Sequence, residues 1–342
     1  MPATRPSPIS TDAVSGPTPV LLDVRRLTTV IDVEGRPLPA VDDASFEVRT
    51  GETLALVGES GSGKSMAALS ILRLVQPPGR ITDGRVLFEG RDLLTLGEGE
   101  MRRVRGARIA LVFQEPTAAL NPVFTVGDQV AEAMTVHRLA TRAEARRRAV
   151  ELLEAVRVTD PDRAARSYPH QLSGGMQQRV VIAMALACRP ALVIADEPTT
   201  ALDVTIQARI LDLLREMRGA FDLSILLISH DLGIVAGSAD RVAVMYAGRI
   251  VEQAPVRAIF DAPAHPYTRA LLASVPRGEG RRRLQAIAGT VPPITGMPPG
   301  CPFAPRCPDA AAACRVTHPG AVAVGPDHEA SCHVHARPTE RA

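Results

Sequence analysis

Tryptophan is absent and aromatic residues make up only 3% of the chain, so the stacking platforms that single-stranded nucleic acids use are scarce. A surplus of one charge is lacking too. The formal net charge is +2 with 22% charged residues, which leaves no strong field to gather a polyanion, and no nucleic acid is expected as a partner. Long hydrophobic runs are missing: the longest, such as Val180 to Cys188 and Leu223 to Ser229, fall short of the ~20 residues that span a bilayer. The first residues are rich in Pro, Ser and Thr, with Arg5 as their one cation and no apolar stretch of the kind a signal peptide carries. They predict a disordered tail over residues 1–19 of a cytoplasmic chain. Lysine is rarest of all. Of 39 basic side chains only Lys64 is a lysine, and it lies in a glycine-rich loop, where arginine's broad planar fork does not replace a slim ammonium.

With 342 residues there is enough chain for one large domain and a smaller appendage. From Pro19 to Val48 short apolar and polar groups alternate around a turn at Glu34-Gly35, which predicts antiparallel strands. Thr53 to Val57 is a compact apolar strand leading into Gly58-Glu59-Ser60-Gly61-Ser62-Gly63-Lys64-Ser65 and then a helical pattern through Leu69, Leu72 and Val75. Apolar residues at three and four spacing from Val126 to Val156 predict a helical insert, placed at about 115–190. Helix Gly174 to Cys188, strand Ala191 to Ala195, helix Val204 to Met217, and strands Leu223 to Ser229 and Arg241 to Tyr246 follow, the alternation of a mainly parallel sheet.

The strand, glycine loop and helix in that order form a phosphate cradle. Backbone N–H groups of Gly58 to Ser65 wrap the phosphates, Lys64 reaches the outer ones and Ser65 holds Mg²⁺. The second half of such a site needs a carboxylate at a buried strand end. Leu192 to Ala195 supplies the strand, Asp196 the carboxylate for the metal, and Glu197 a base to polarise the attacking water. An isolated Asp-Glu pair is commonplace in solvated loops, so the context carries this assignment.

That context is a family resemblance. Leu172-Ser173-Gly174-Gly175-Met176-Gln177-Gln178-Arg179, then Asp196-Glu197-Pro198, then Ala201-Leu202-Asp203, resemble the motifs of an ATP-binding cassette ATPase. Gln114 matches that family's Q-loop and His230 its switch histidine. The resemblance implies an α/β P-loop cassette with a RecA-like core, an antiparallel β subdomain and a helical subdomain within residues 20–260, followed by a small Cys-rich extension over 261–342. It implies ATP and Mg²⁺, with Ser65, Gln114 and Asp196 on the metal or its waters, Glu197 as base and His230 as γ-phosphate sensor. It also implies that two cassettes close head to tail, Ser173, Gly174 and Gly175 of one meeting the ATP held by the other, a bare helix N-terminus being able to approach phosphate closely. One cassette is present, so the expected partners are a second ATPase subunit, taken to be a different chain, two transmembrane permeases and, indirectly, an extracytoplasmic binding protein. The chain is then expected at the cytoplasmic face of the membrane. Two departures stand out: Met176 replaces the glutamine of many members, and Val30 or Ile31 occupies the place of the aromatic that stacks on adenine, which predicts similar affinity for ATP and GTP.

His265-Pro266-Tyr267-Thr268-Arg269-Ala270-Leu271-Leu272, ending at Ser274-Val275-Pro276, and then Gly300 to Cys307, resemble the C-terminal part of oligopeptide and dipeptide permease ATPases. Nickel importers share it, so import of nickel or another small solute is the alternative within the class, and a soluble cassette protein the alternative outside it. Cysteine is nearly missing from the first 300 residues, where Cys188 stands alone in an apolar run and reads as plain core. Cys301, Cys307, Cys314 and Cys332 then crowd into the last 42, with His318, His328, His333 and His335 nearby. In a reducing compartment such a cluster predicts a thiolate metal site, a [4Fe-4S] cluster or Zn²⁺, stapling a segment too small for a comfortable core of its own.

Overall fold

A computed structural model describes residues 18–199, 203–275 and 287–335. Most of the expected N-terminal tail, Ala201-Leu202 and Pro276 lie outside them. The chain opens with β1 (Val20–Val33) and β2 (Arg36–Arg49), an antiparallel hairpin turned at Glu34-Gly35. After β3 (Thr53–Val57), β4 (Gly79–Phe88) and β5 (Arg91–Asp92) complete a four-stranded sheet of order β2-β1-β4-β5. The second sheet is built on β3 with β6 (Ile109–Val112), β7 (Leu192–Asp196), β8 (Ser224–Ser229) and β9 (Arg241–Tyr246), all parallel, in the order β9-β3-β8-β7-β6. These five strands are buried almost throughout, which is why they read as continuous apolar runs rather than alternating ones.

Between β6 and β7 the chain forms the expected helical insert. Its helices Val126–Val136 and Arg142–Ala155 each begin at a threonine, Thr125 and Thr141, that accepts a hydrogen bond from the N–H three residues on. Their apolar stripe, with Val130, Met134, Ala149 and Leu153, packs against Val180 and Ala183 of the helix Gly174–Leu186. No helix among the described residues is long and apolar enough to cross a membrane.

The C-terminal segment does not stand apart. A hairpin turn at Ala247-Gly248, both at positive φ, returns the chain from β9 into β10 (Arg249–Pro255). Some seventy residues later β11 (Val322–Gly325) and β12 (His328–Ala330) add to the same sheet, Glu252 of β10 pairing with Ala330 of β12. The segment also shares a core with the sheet: Tyr267, Phe303, Cys301 and Cys314 are buried against Ala55, Val57, Val244 and Tyr246. A short element that lacks area for a core of its own is thus held by strand pairing and by the cassette's apolar surface.

Candidate active site

Parallel register places the chemistry. Val57 of β3 lies beside Ser229 of β8, Asp196 of β7 beside Ile228 of β8, and Val112 of β6 beside Ala195 of β7. The residues that follow these strands therefore emerge side by side at the carboxyl edge of the sheet, where open α/β folds bind ligands. Glycine loop, His230, Glu197 and Gln114 appear there in the order of the strands that carry them.

They line one cavity of about 930 Å³. It is lined by the loop Glu59 to Ser65, by Gln114, Glu197 and His230, and by Ile31, Pro39 and Ala40 of the first sheet. The loop's glycines are obligatory at two points. A Cβ on Gly58 would lie 2.2 Å from the Met245 carbonyl oxygen, and Gly63 holds φ +103 with Ala40's carbonyl 2.5 Å from where its Cβ would be. Gly63 is followed directly by the helix Lys64–Ile71, so the loop's N–H groups and the helix start face the same space.

Lys64 is 4% exposed, and its ammonium donates to the carbonyls of Gly58 (2.8 Å) and Glu59 (3.0 Å). Burial lowers its pKa, while the charges of Glu197, Asp196 and Glu59 pull it back up. Ser65 Oγ donates to Asp196 Oδ1 at 3.0 Å. Asp196 has its pKa raised by burial first, with the neighbouring Glu197 adding and the Ser65 hydrogen bond opposing. A buried carboxyl beside a second one is stabilised in its ionised form by a cation. The hydroxyl of Ser65, the carboxylate of Asp196 and the amide oxygen of Gln114 are the hard, sparse donor set that suits Mg²⁺ completed by phosphate and water. Glu197 holds φ +44, an uncommon conformation for a side-chain-bearing residue and one that concentrates at functional sites. Its Oε2 accepts from Gln114 Nε2 at 3.2 Å and lies 3.2 Å from Nδ1 of the half-exposed His230. A carboxylate so placed can take a proton from a water held over the glycine loop.

Two family models match the chain: one described as ABC transporter over residues 41–200, and one described as Oligopeptide/dipeptide transporter, C-terminal region, over residues 251–314. The oligopeptide transport ATP-binding protein AppD of Bacillus subtilis is 50% identical over 301 residues, spanning 87% of this chain and 92% of that protein. The dipeptide transport ATP-binding protein DppD of the same organism is 48% identical over 324 residues, 94% of this chain and 97% of its own. This chain belongs to the ATP-binding cassette transporter family. Among solved structures, the dimeric post-hydrolysis state of the cassette MJ0796 bound to ADP and Pi superposes with a TM-score of 0.62 at 28% identity, covering 69% of this chain and 99% of that one.

Not every expected site residue of the cassette reaches the cavity. Ser173, Gly174 and Gly175 begin the helix Gly174–Leu186, Ser173 capping it by accepting from the Met176 N–H at 3.4 Å, and Ser173 and Gly174 are exposed and apart from the cavity lining. Met176 packs on the core of the helical insert, which accounts for an apolar residue there. Of the two positions expected to face adenine, Ile31 lines the cavity, whereas Val30 is buried in the sheet at 7% exposure.

The expectation of an iron-sulfur or zinc site is not matched by an assembled ligand group among the described residues. Among the described residues no group of three or more His, Cys, Asp or Glu is placed to hold a metal ion. Burial pushes the Cys301 thiol up to about 11 and raises Cys307 and Cys332, so the neutral form, which does not ligate, is favoured. The physical reason is that the thiols lie in apolar surroundings with little cationic charge beside them. All four cysteines nevertheless line one small enclosed pocket, shared with His265 and Phe303.

Two residues escaped the sequence reading. Tyr267 Oη accepts the backbone N–H of Glu59 at 2.8 Å, and Arg306 forms a two-pronged pair with the Glu59 carboxylate at 2.8 and 3.0 Å. One signal was available: a carboxylate within a phosphate-binding loop calls for a cation to neutralise it.

Proposed function

We propose that the chain is the ATP-hydrolysing subunit of a membrane importer of di- or oligopeptides. The observation that carries this is the convergence of Lys64, Ser65, Gln114, Asp196, Glu197 and His230 at the ends of four adjacent strands. Relatives named for oligopeptide and dipeptide transport supply the cargo. In this reading the loop Gly58 to Ser65 wraps the phosphates and Lys64 neutralises the outer ones. Ser65, Asp196 and Gln114 would hold Mg²⁺ or its waters. Bound there, the metal offsets charge on the phosphates. Glu197 accepts the proton of the attacking water, and His230, within reach of Glu197, senses the γ-phosphate. Ser173, Gly174 and Gly175, at a helix start whose first two residues are exposed, face the ATP of a second cassette, whose dimer opens when hydrolysis removes the bridging phosphate.

The same proposal divides the chain into a cassette over about 20–260, with its helical part near 115–190, and an extension beyond it. It places the chain peripherally beneath two permease subunits, at the cytoplasmic face. The test is ATPase activity after reconstitution with candidate permeases and second cassette, with and without peptide-loaded binding protein. Glu197→Gln should lower hydrolysis by about 10²–10⁴-fold while ATP still binds. Activity that survives the substitution removes Glu197 from the reaction, and hydrolysis indifferent to peptide removes the cargo.

We further propose that Cys301, Cys307, Cys314 and Cys332 take up an iron-sulfur cluster, with zinc as the alternative metal. Their convergence on a single pocket from four separated positions supports this. Loading must expel the thiol protons. Anaerobically purified protein should show a visible absorption band and bound iron; folded, colourless, metal-free protein sinks the idea.

A further inference from the structure

The cavity that holds the glycine loop has a wall that the cassette motifs do not provide. Ile287, Pro292, Ile294 and Met297 line it from the C-terminal segment, together with Ile31 and Ala40. All four are half-buried apolar residues facing a polar site, and the short turn Ile294–Gly296 packs on β2. Apolar surface left open on one side beside a phosphate loop suits a flat, largely apolar ligand part, and among the described residues no Phe, Tyr or Trp lines this cavity to receive one.

A single side chain ties that wall to the loop. Arg306 is 5% exposed at its side chain and forks onto both Glu59 oxygens. Its Nε donates to the Ala288 carbonyl at 2.8 Å and its Nη2 to that of Gly289 at 3.3 Å, so the start of the wall and the phosphate loop share one guanidinium. The seam beneath is built like a core. Two of the chain's three tyrosines, Tyr246 and Tyr267, pack with Phe303 at ring distances of 4.5 to 5.3 Å, and the Arg306 guanidinium lies 5.8 Å from the Tyr246 ring centre. Glu59 unpaired would repel the phosphates its loop receives; paired, it is neutral to them.

We infer that the C-terminal segment is the second half of the nucleotide site: residues 287–297 form the wall on which the base packs, and Arg306 holds the phosphate loop in register with that wall by neutralising Glu59. This rests on the ATPase reading above and deepens it. Arg306 is a positioning residue, since it touches the loop and not the ligand.

The experiment measures binding of ATP and of inorganic tripolyphosphate, both with magnesium, to the full chain by titration calorimetry. Ile294→Ala with Met297→Ala should weaken ATP by about tenfold, as lost apolar burial implies, and leave tripolyphosphate unchanged, because tripolyphosphate has no base. Arg306→Met should weaken both ligands, and adding Glu59→Gln should restore tripolyphosphate, since the repelling charge is gone. Unchanged ATP affinity in the wall variant, equal loss of both ligands in it, or unchanged tripolyphosphate affinity in Arg306→Met overturns the inference while leaving the ATPase reading intact. Wild-type protein that binds neither ligand overturns the ATPase reading and this inference with it.

Discussion

Two regions enclose the same cavity and are built by different means. The loop Gly58 to Ser65 is dictated by local necessity: Gly58, Gly63, Lys64 and Ser65 each answer a steric or charge requirement set by a few neighbouring atoms. The C-terminal segment that supplies the wall is held by distant pairing, through β10 with β12, through the buried carboxylate of Glu252 and through Arg306. The first region should therefore fail where a single atom is added at Gly58 or Gly63, and the second where a single anchor is removed. Gly58→Ala is the most severe probe of this contrast. Its Cβ would stand 2.2 Å from a backbone carbonyl that belongs to β9, a central strand that cannot shift alone. A cost of about 3 kcal/mol is expected, read as a fall in the denaturant midpoint, together with loss of nucleotide binding. A fully stable variant would show that the loop is less rigidly seated than these contacts imply.

Glu252→Ala probes the other region and should cost less, about 2 kcal/mol. The Glu252 side chain is wholly buried and accepts the N–H groups of Ala264 and His265 at 2.7 and 2.8 Å, with His328 Nε2 at 2.8 Å. Truncation strands these groups in a dry site. The damage should stay local: hydrogen exchange should quicken in β11 and β12 while β3, β7 and β8 keep their protection. Uniform acceleration across the chain would erase the contrast and make extension and cassette one cooperative unit.

The contrast also explains what the sequence disclosed. The site was legible because its chemistry is written in contiguous words, Gly58 to Ser65 and Leu192 to Glu197, each attached to a buried strand whose apolar run is unmistakable. The order of helices and strands from Gly174 to Tyr246 followed from the same periodicity, whereas β4, β5 and β6 were not read. The seven-residue strand β10 was not read either, and the four- and three-residue strands β11 and β12 are too short to carry a readable alternation. Nor was the Arg306 fork on Glu59, which joins residues 247 apart in sequence. The four cysteines were read as a metal staple, yet strand pairing and the Tyr246, Tyr267 and Phe303 cluster already hold the segment they occupy.

Acidity should separate the two regions by a smaller margin. His265 is 1% exposed, its Nδ1 accepts the Tyr267 N–H at 3.0 Å, and burial pushes its pKa down to about 3. His318, less deeply placed, is pushed down to about 4 by burial and by the charge of Arg249. For both, the folded value lies below the ordinary value near 6.5, so the unfolded chain takes up the proton first as pH falls. The stability these neutral histidines permit is complete above pH 6.5 and is lost as pH drops toward 4 and 3. For His265 the loss approaches about 1.4 kcal/mol per pH unit, and for the partly exposed His318 a fraction of that. Exchange protection of β11 and β12, which belong to the same C-terminal segment, should therefore decline from pH 6.5 to 4.5 sooner than that of β3 and β8. His318→Gln should flatten part of the decline. A decline that begins together in both sheet regions would place the acid-sensitive step in the cassette rather than in its C-terminal segment.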